Sequence, residues 1–395
     1  MILHNQGFVN TFEKKCPSDK QEGAFVKRIL VWIGTRPEAI KLCPLILELT
    51  RQGIDTRVML TGQHRDMVYP VLSFFGVAAS GDLGVMRPGQ TVHQLTERLL
   101  HDMAEELERK PSPAAVMVHG DTTSALCGAL TAFYAGIPVI HIEAGLRSDD
   151  IYAPFPEEFN RRAIDAMSDV YFAPTELAKS RLLAEGYGKE RIFVVGNTAT
   201  DAVRLCLERP INHPLLDLAD RRRLILLTCH RRELPSNKRL ALFRAVRDII
   251  EGREDVALVF PVHPSPAVCE AAHSIFDGCE HAALTAPLPL PLMQHLMARA
   301  YLILTDSGGV QEEAAYLGVP TLVLREGTER PEGVSRGTLR AVGTEALQVG
   351  SALQELLIDP RRRDAMACPS YVFGDGYAAR RIAEALHQWE GIADI

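Results

Sequence analysis

The sequence predicts an α/β protein of two domains, each a doubly wound parallel sheet covered by helices. Three observations carry that expectation. Short apolar runs alternate with helix-length amphipathic segments along nearly the whole chain. The alternation starts afresh after RIFVVGNTATDAVRLCLERPINHPLL. At 395 residues the chain is also long enough for two separate cores.

The elements follow in order from Lys27. KRILVWIG reads as the first strand, and TRPEAIKLCPLILELTRQG as a helix closed by Gly53. TRVMLTG is the next strand. In TVHQLTERLLHDMAEELERK, the residues Val92, Leu95, Leu99, Met103 and Leu107 form one helical stripe. AAVMVHG is a strand, DTTSALCGALTAFYAG a helix ending at Gly136, and IPVIHIE a strand. EFNRRAIDAMSDV is a helix with Phe159, Ala163 and Met167 on one face, and VYFAP a strand. The second half offers five more strands: RLILLTCH, VALVFPVH, AALTAPL, AYLILTD and PTLVLRE. GYAARRIAEALHQWEGI carries Ala378, Ile382, Leu386 and Trp389 on one stripe. The polar, proline-bearing segment near 205–216 is the expected boundary. The expected division is an extension over 1–26, a Rossmann-like domain over 27–204, a second over 205–372, and a terminal helix in 373–395.

Composition narrows the function. Hydrophobic residues at 47% and charged residues at 24% suit a soluble enzyme, and a formal charge of −7 argues against a nucleic-acid partner. The eight cysteines form no CxxC pair, so neither a zinc nor a disulfide framework is expected, and a reducing cytoplasm fits. Residues 1–26 lack the apolar core of a signal peptide, and no run of about eighteen apolar residues would span a membrane.

Chemistry is expected at the carboxyl ends of the strands, where open α/β sheets bind ligands. Asp306-Ser307-Gly308-Gly309 lies between a strand and the helix VQEEAAYLG, a turn that lets backbone N–H groups approach a diphosphate. The bland alternative is a tight turn whose Glu312 and Glu313 only complement the helix dipole. Arg325 and Arg330 frame the loop after the next strand, and arginine forks suit phosphate oxygens. His230, Arg231 and Arg232 end another strand, and His263 a further one. In the first half, Gly34, Arg36 and Lys41 stand where the first strand meets its helix. Asp121 ends a strand too, where the plain reading is a helix N-cap. Glu143 closes PVIHI, and Glu157 and Glu158 open the next helix. Carboxylates in one half and phosphate-type donors in the other suggest a nucleotide diphosphate facing acids across a cleft. Paired acids opposite an activated sugar suit oxocarbenium-like chemistry and proton transfer.

GTRPEAIK, TGQHRDMV, HGDTTSAL, HIEAGLRSDDIYAPFPEEFNRR, GNTATDAV, CHRRE, PVHPSP, LILTDSGGVQEEA, TERPE and FGDGYAARRI occur in that order over about residues 28 to 390. In this the chain resembles the bacterial non-hydrolysing UDP-N-acetylglucosamine 2-epimerases. The resemblance implies two Rossmann-like domains in a glycosyltransferase-B-like arrangement, an interdomain active-site cleft, and a C-terminal helix that crosses back to the first domain. It implies Asp121, Glu143, Glu157 and His230 as the catalytic set. Arg36, Lys41, Met293, Ser307, Gly308, Gly309, Glu313 and Arg330 would bind the UDP-sugar. Gln63, Arg87 and His263 match a site for a second UDP-N-acetylglucosamine as activator. Which of Asp121, Glu143 and Glu157 is the base stays open. No metal or cofactor is implied, and a homodimer is; the pathway served, polysaccharide biosynthesis or a secondary-metabolite route, stays open.

The chain departs from the family in reading HRREL, GTERPE and Asp66, and in carrying Met293 where Phe is common. Three prolines, Pro287, Pro289 and Pro291, stand just before it. A hydrolysing epimerase would carry Gly-Asp-Arg and His-Gly-Gly-Glu where this chain has GDTT and IEAGL. A glycosyltransferase of the same architecture has no use for this set of acids, and a silent UDP-sugar sensor need not keep them. A nicotinamide-dependent epimerase would need a glycine-rich turn after the first strand.

Overall fold

The computed structural model describes residues 28–389 apart from 149, 230–233 and 329. The expected extension therefore lies outside the described residues. The first half runs β1 (Arg28–Ile33), α1 (Arg36–Arg51), β2 (Asp55–Leu60), α2 (Arg65–Phe75), β3 (Gly81–Asp82), α3 (Val92–Glu108) and β4 (Ala115–His119). It continues with α4 (Thr123–Tyr134), β5 (Val139–Ile142), α5 (Glu157–Met167), β6 (Val170–Ala173), α6 (Glu176–Ala184), β7 (Ile192–Val194) and α7 (Thr198–Leu207). The second half runs α8 (Pro214–Arg221), β8 (Arg223–Thr228), α9 (Ser236–Glu251), β9 (Val256–Pro261), α10 (Pro266–Phe276), β10 (Ala282–Thr285) and α11 (Leu290–Arg299). Then come β11 (Leu302–Thr305), α12 (Gly308–Leu317), β12 (Thr321–Val323), α13 (Pro331–Ser335), β13 (Leu339–Ala341), α14 (Ala346–Ile358), α15 (Pro360–Met366) and α16 (Ala378–Gln388).

Among the described residues the strands form two sheets, β3-β2-β1-β4-β5-β6-β7 and β10-β9-β8-β11-β12-β13. Every pairing is parallel. Strand order reverses between β1 and β4 in the first sheet and between β8 and β11 in the second. Such reversals open the crevice in which doubly wound sheets hold ligands. GTRPE and HGDTT follow the strands at the first reversal, and TDSGG follows β11 at the second. The His230 stretch follows β8 but lies outside the described residues.

Helices cover both faces of each sheet. On the first, α1, α2, α7 and α16 share one core with β1, β2 and β4–β6, while α3 and α4 cover the opposite face. On the second, α9, α10 and α14 lie on one face and α8, α11 and α12 on the other. The last helix thus returns to the first sheet. Ile382 and Leu386 are fully buried there, worth about 1.5–3 kcal/mol each.

Polar contacts fix the point of return. The Asp201 carboxylate on α7 accepts from the Ala378 and Ala379 N–H groups at 3.1 and 3.0 Å, capping α16. The Asn197 N–H donates to the Phe373 carbonyl at 2.6 Å. Gly196 and Gly374 meet backbone to backbone: a Cβ on Gly196 would sit 2.9 Å from the Gly374 Cα, and both have positive φ, 92° and 134°.

The structure corrects the expected elements. The first sheet has two strands beyond the expected five, β3 and β7, one at each edge. The second sheet has a sixth strand, Leu339–Ala341, too short and too mixed in character to stand out in TLRAV. Val92 is 53% exposed, because it opens α3 before the stripe reaches the core. On α5, Phe159 is 51% exposed and the buried side is Glu158, Asn160, Arg161, Ile164 and Asp165. That helix turns a largely polar face inward because its neighbours there are polar too: Asp121, Ser148 and the buried His141 of β5.

Candidate active site

Glu38 organises the turn after β1. Its carboxylate accepts from the Gly34 and Thr35 N–H groups at 2.8 and 2.5 Å and from the Thr122 hydroxyl at 2.6 Å. An internal anion thus fills the helix N-terminus at which many Rossmann domains hold phosphate. Burial pushes the Glu38 carboxyl up, against these hydrogen bonds. Through Thr122 it ties the β1 turn to the β4 turn. Thr122, not Asp121, caps α4, its hydroxyl accepting from Ala125 N–H at 3.0 Å. The plain reading of Asp121 as a cap is therefore wrong, and its carboxylate is available for other work. Asp121 pairs with Arg161, and its carbonyl accepts from the Asn160 amide at 2.8 Å. Just before it, the Gly120 carbonyl lies 2.8 Å from His141 Nε2, and His141 Nδ1 lies 2.7 Å from Asp165. Burial pushes the Asp121 carboxyl up, with Arg161 opposing and Glu143 assisting.

Glu143, one residue past β5, is the one non-glycine with positive φ among the described residues, at 68°. That left-handed conformation costs an L-residue about 1–3 kcal/mol, and such strain clusters at functional sites. The Glu143 and Ala144 N–H groups hold the bend by donating to the Phe172 carbonyl at 3.0 and 3.1 Å. The Glu143 Oε2 atom takes a short hydrogen bond from Lys41 and one of 2.7 Å from the Asn197 amide; His119 Nε2 lies 3.6 Å away. Asn197 also donates to Glu312 on α12 at 2.8 Å, and Glu312 pairs with Arg330. The result is a continuous chain, Lys41–Glu143–Asn197–Glu312–Arg330, from the first sheet to the second.

The charges follow from that packing. Burial alone would raise the Glu143 carboxyl, but the Lys41 ammonium overrides it and holds it well below the usual carboxylate range. Burial pulls Lys41 down, and Glu143 and Glu312 more than restore it. Burial drives His119 down to about 3, so its imidazole is neutral at physiological pH.

The second domain supplies an open turn. Gly308 and Gly309 begin α12, and neither has a positive φ. A Cβ on Gly309 would meet nothing within 4 Å, so the protein's own packing does not demand glycine there; close approach of a ligand would. Ser307 N–H donates to the Thr305 hydroxyl at 3.0 Å. Glu313, half-buried on the same helix, accepts from the Gln294 amide at 2.9 Å, and burial pushes it up to about 7. Arg36 donates across the cleft to the Leu288 carbonyl at 2.9 Å. Burial lowers the Arg36 guanidinium, with Glu313 opposing. Met293 packs into the core beside this loop.

Other expected site residues stand further out. Glu157 opens α5 half-buried, whereas Glu158 is fully buried and braces the loop, accepting from Ser148 N–H at 3.0 Å and from Arg162 at 2.7 Å. Gln63 accepts from the Ser124 hydroxyl at 2.7 Å, close to the Asp121 turn. Arg87 is exposed after β3 and bonded to the Gly84 and Met86 carbonyls at 2.7 and 2.8 Å, and His263 is exposed after β9. His230 lies outside the described residues. Reading by motif missed Asn197, Glu312, His119 and Arg161. Asn197 sits in GNTATD just after a strand, the same kind of position that drew attention to Asp121.

A family model described as UDP-N-acetylglucosamine 2-epimerase matches residues 47–387. The UDP-N-acetylglucosamine 2-epimerase of Bacillus subtilis strain 168 is 45% identical over 360 residues, covering 91% of this chain and 94% of that protein. Among solved structures, S. aureus MnaA in a co-structure with UDP superposes with a TM-score of 0.87 at 40% identity, covering 93% and 97% of the two chains. The Neisseria meningitidis UDP-GlcNAc 2-epimerase bound to UDP-GlcNAc gives 0.86 at 37% identity, covering 92% and 100%. Matched by that model over most of its length, and close to end-to-end with these relatives, the chain belongs to the UDP-N-acetylglucosamine 2-epimerase family.

Proposed function

We propose that the protein interconverts UDP-N-acetylglucosamine and UDP-N-acetylmannosamine without hydrolysis. The C2 hydrogen of the sugar has no neighbouring carbonyl, so simple deprotonation is too costly. A base that takes this proton while the C1–O bond breaks leaves the C2–H electrons as a C1=C2 double bond, and UDP departs with the C1–O pair. The intermediate is 2-acetamidoglucal. UDP adds back to C1 as a proton reaches the opposite face of C2.

The observation that carries this reading is the clamped, ionised Glu143 beside an Asp121 whose carboxyl is raised. A carboxylate fixed in its charged form suits stabilising positive charge on the ring. A buried carboxyl that is raised above its ordinary value suits proton transfer, so Asp121 takes that part, with Glu157 as its partner on the other face of C2. Arg36, Lys41, Met293, Ser307, Gly308, Gly309, Glu313 and Arg330 would hold the nucleotide, with Glu313 accepting from the ribose hydroxyls. His230 would assist the departing diphosphate.

The test is proton NMR of UDP-N-acetylglucosamine with the protein in deuterated water. Deuterium at C2 of both UDP-sugars at equilibrium is expected. Free N-acetylmannosamine would mean hydrolysis instead, and an unchanged spectrum would overturn the reading.

The reading extends to a second UDP-N-acetylglucosamine held as activator by Gln63, Arg87 and His263. Gln63 supports it, because its bond to Ser124 reaches the turn that bears Asp121. It extends to a homodimer, for which the exposed pair Phe133 and Tyr134 at the end of α4 offers an apolar face, and to a cytoplasmic setting. Among the described residues no helix is long and apolar enough to cross a membrane.

A further inference from the structure

We infer that Asn197 is a positioning residue for the epimerase reaction: its amide, shared between Glu143 on the sugar side and Glu312 on the nucleotide side, aims the Glu143 carboxylate. The inference rests on the epimerase reading above.

The geometry is over-determined. Asn197 is 2% exposed, and its two amide protons go to Glu143 at 2.7 Å and Glu312 at 2.8 Å. Its Oδ1 accepts from the Ala199 N–H at 3.0 Å, capping α7. The amide cannot turn over, because a flip would set its oxygen against two carboxylates and its N–H₂ against a backbone donor. Its backbone is pinned by the Phe373 carbonyl. The helix it caps packs on α1 and α16 at the first sheet and on α11 and α12 at the second.

Capping alone does not explain the residue type. Asp and Asn cap helices about equally well, but an aspartate at position 197 would bring a third carboxylate against Glu143 and Glu312. The amide is therefore dictated by the two acids. Lys41 and Asn197 both bind Oε2 of Glu143, and Oε1 makes no hydrogen bond among the described residues. Holding one oxygen from two sides fixes where the other points. Because Asn197 also grips the helix that begins at Gly308, it ties that aim to the nucleotide side of the cleft.

The test compares wild type, Asn197→Ala, Asn197→Asp and the exchange Asn197→Asp/Glu312→Gln for turnover, UDP affinity by calorimetry and melting temperature. In N197A turnover should fall at least about 100-fold, the size of effect a misaimed catalytic group produces, while UDP affinity changes less than about threefold. In the exchange, the amide introduced on α12 can donate to the new carboxylate on α7 and still accept from Arg330, so stability should rise above that of N197D. Turnover should stay low, because that new carboxylate still faces Glu143. A merely structural Asn197 would regain turnover together with stability. That result, or N197A within about threefold of wild type, or an exchange no more stable than N197D, would overturn the inference. An inactive wild type in the same assay would instead remove the epimerase reading on which it rests.

Discussion

Consider UDP binding as the pH is lowered from about 8 to about 5.5, across the range in which Glu313 titrates. Burial raises this carboxyl to about 7, with the Gln294 bond opposing and Glu312 adding to the rise. In the proposed complex it accepts from ribose hydroxyls, which favours the carboxylate, so its pKa falls on binding. Below neutrality the free protein must therefore release a proton to bind, and affinity is lost as pH falls through about 7. If only the ionised fraction binds, the apparent Kd at pH 5.5 is weaker by about 30-fold, or about 2 kcal/mol, than at pH 8. The terminal phosphate of UDP also protonates, near about 6, and adds its own slope. Calorimetry on wild type and Glu313→Gln separates the two, since the variant keeps the phosphate's dependence and loses that of Glu313. Titrations in buffers of different ionisation enthalpy should also show more proton release near neutrality in the wild type than in the variant, which keeps only the phosphate's share. Parallel pH profiles for the two proteins would refute the reasoning.

Three further outcomes follow from the geometry. Replacing Asp121, Glu143 or Glu157 by its amide should cut turnover by about 10²–10⁴ while UDP affinity, measured by calorimetry, stays within a few-fold; full activity in any one variant would remove that residue from the mechanism. Gly309→Ala should keep or slightly raise the melting temperature, since its Cβ meets nothing within 4 Å, yet weaken UDP binding at least about tenfold where a ligand approaches the backbone. Leu386→Ala should cost about 2–5 kcal/mol in denaturant unfolding, with normal turnover per folded molecule.

The strands were legible because a parallel sheet buried on both faces must be written in apolar runs, as in AVMVH of β4. The strand-end motifs were legible because their turns use distinctive residues. What the sequence hid depends on long-range placement. Nothing in HIEAG announces that Glu143 takes φ 68°, since the bend is held by Phe172 on the neighbouring strand. Glu312 looked like a dipole partner because its true partners, Asn197 and Arg330, come from other elements of the fold. The α5 stripe failed because its inward face meets Ser148 and Asp121 instead of hydrocarbon. A periodicity rule assumes that the inside is apolar.

Ribosomes would deliver this protein in an order at odds with how its cores close. The second sheet gathers nearly all its cover from elements that follow one another between α8 and α15, with Phe373 added a few residues later. The first sheet instead waits for α16, whose Ala379, Ile382, Ala383 and Leu386 complete the cluster that contains Leu42, Leu45 and Leu49 of α1. At about 5–20 residues per second, the roughly 330 residues between those helices take about half a minute to emerge. For that time the core that α1 shares with α2, α7 and the sheet lacks its last neighbours from α16, and holdase chaperones would find their target there. The half of the molecule that is synthesised first is the half that is finished last.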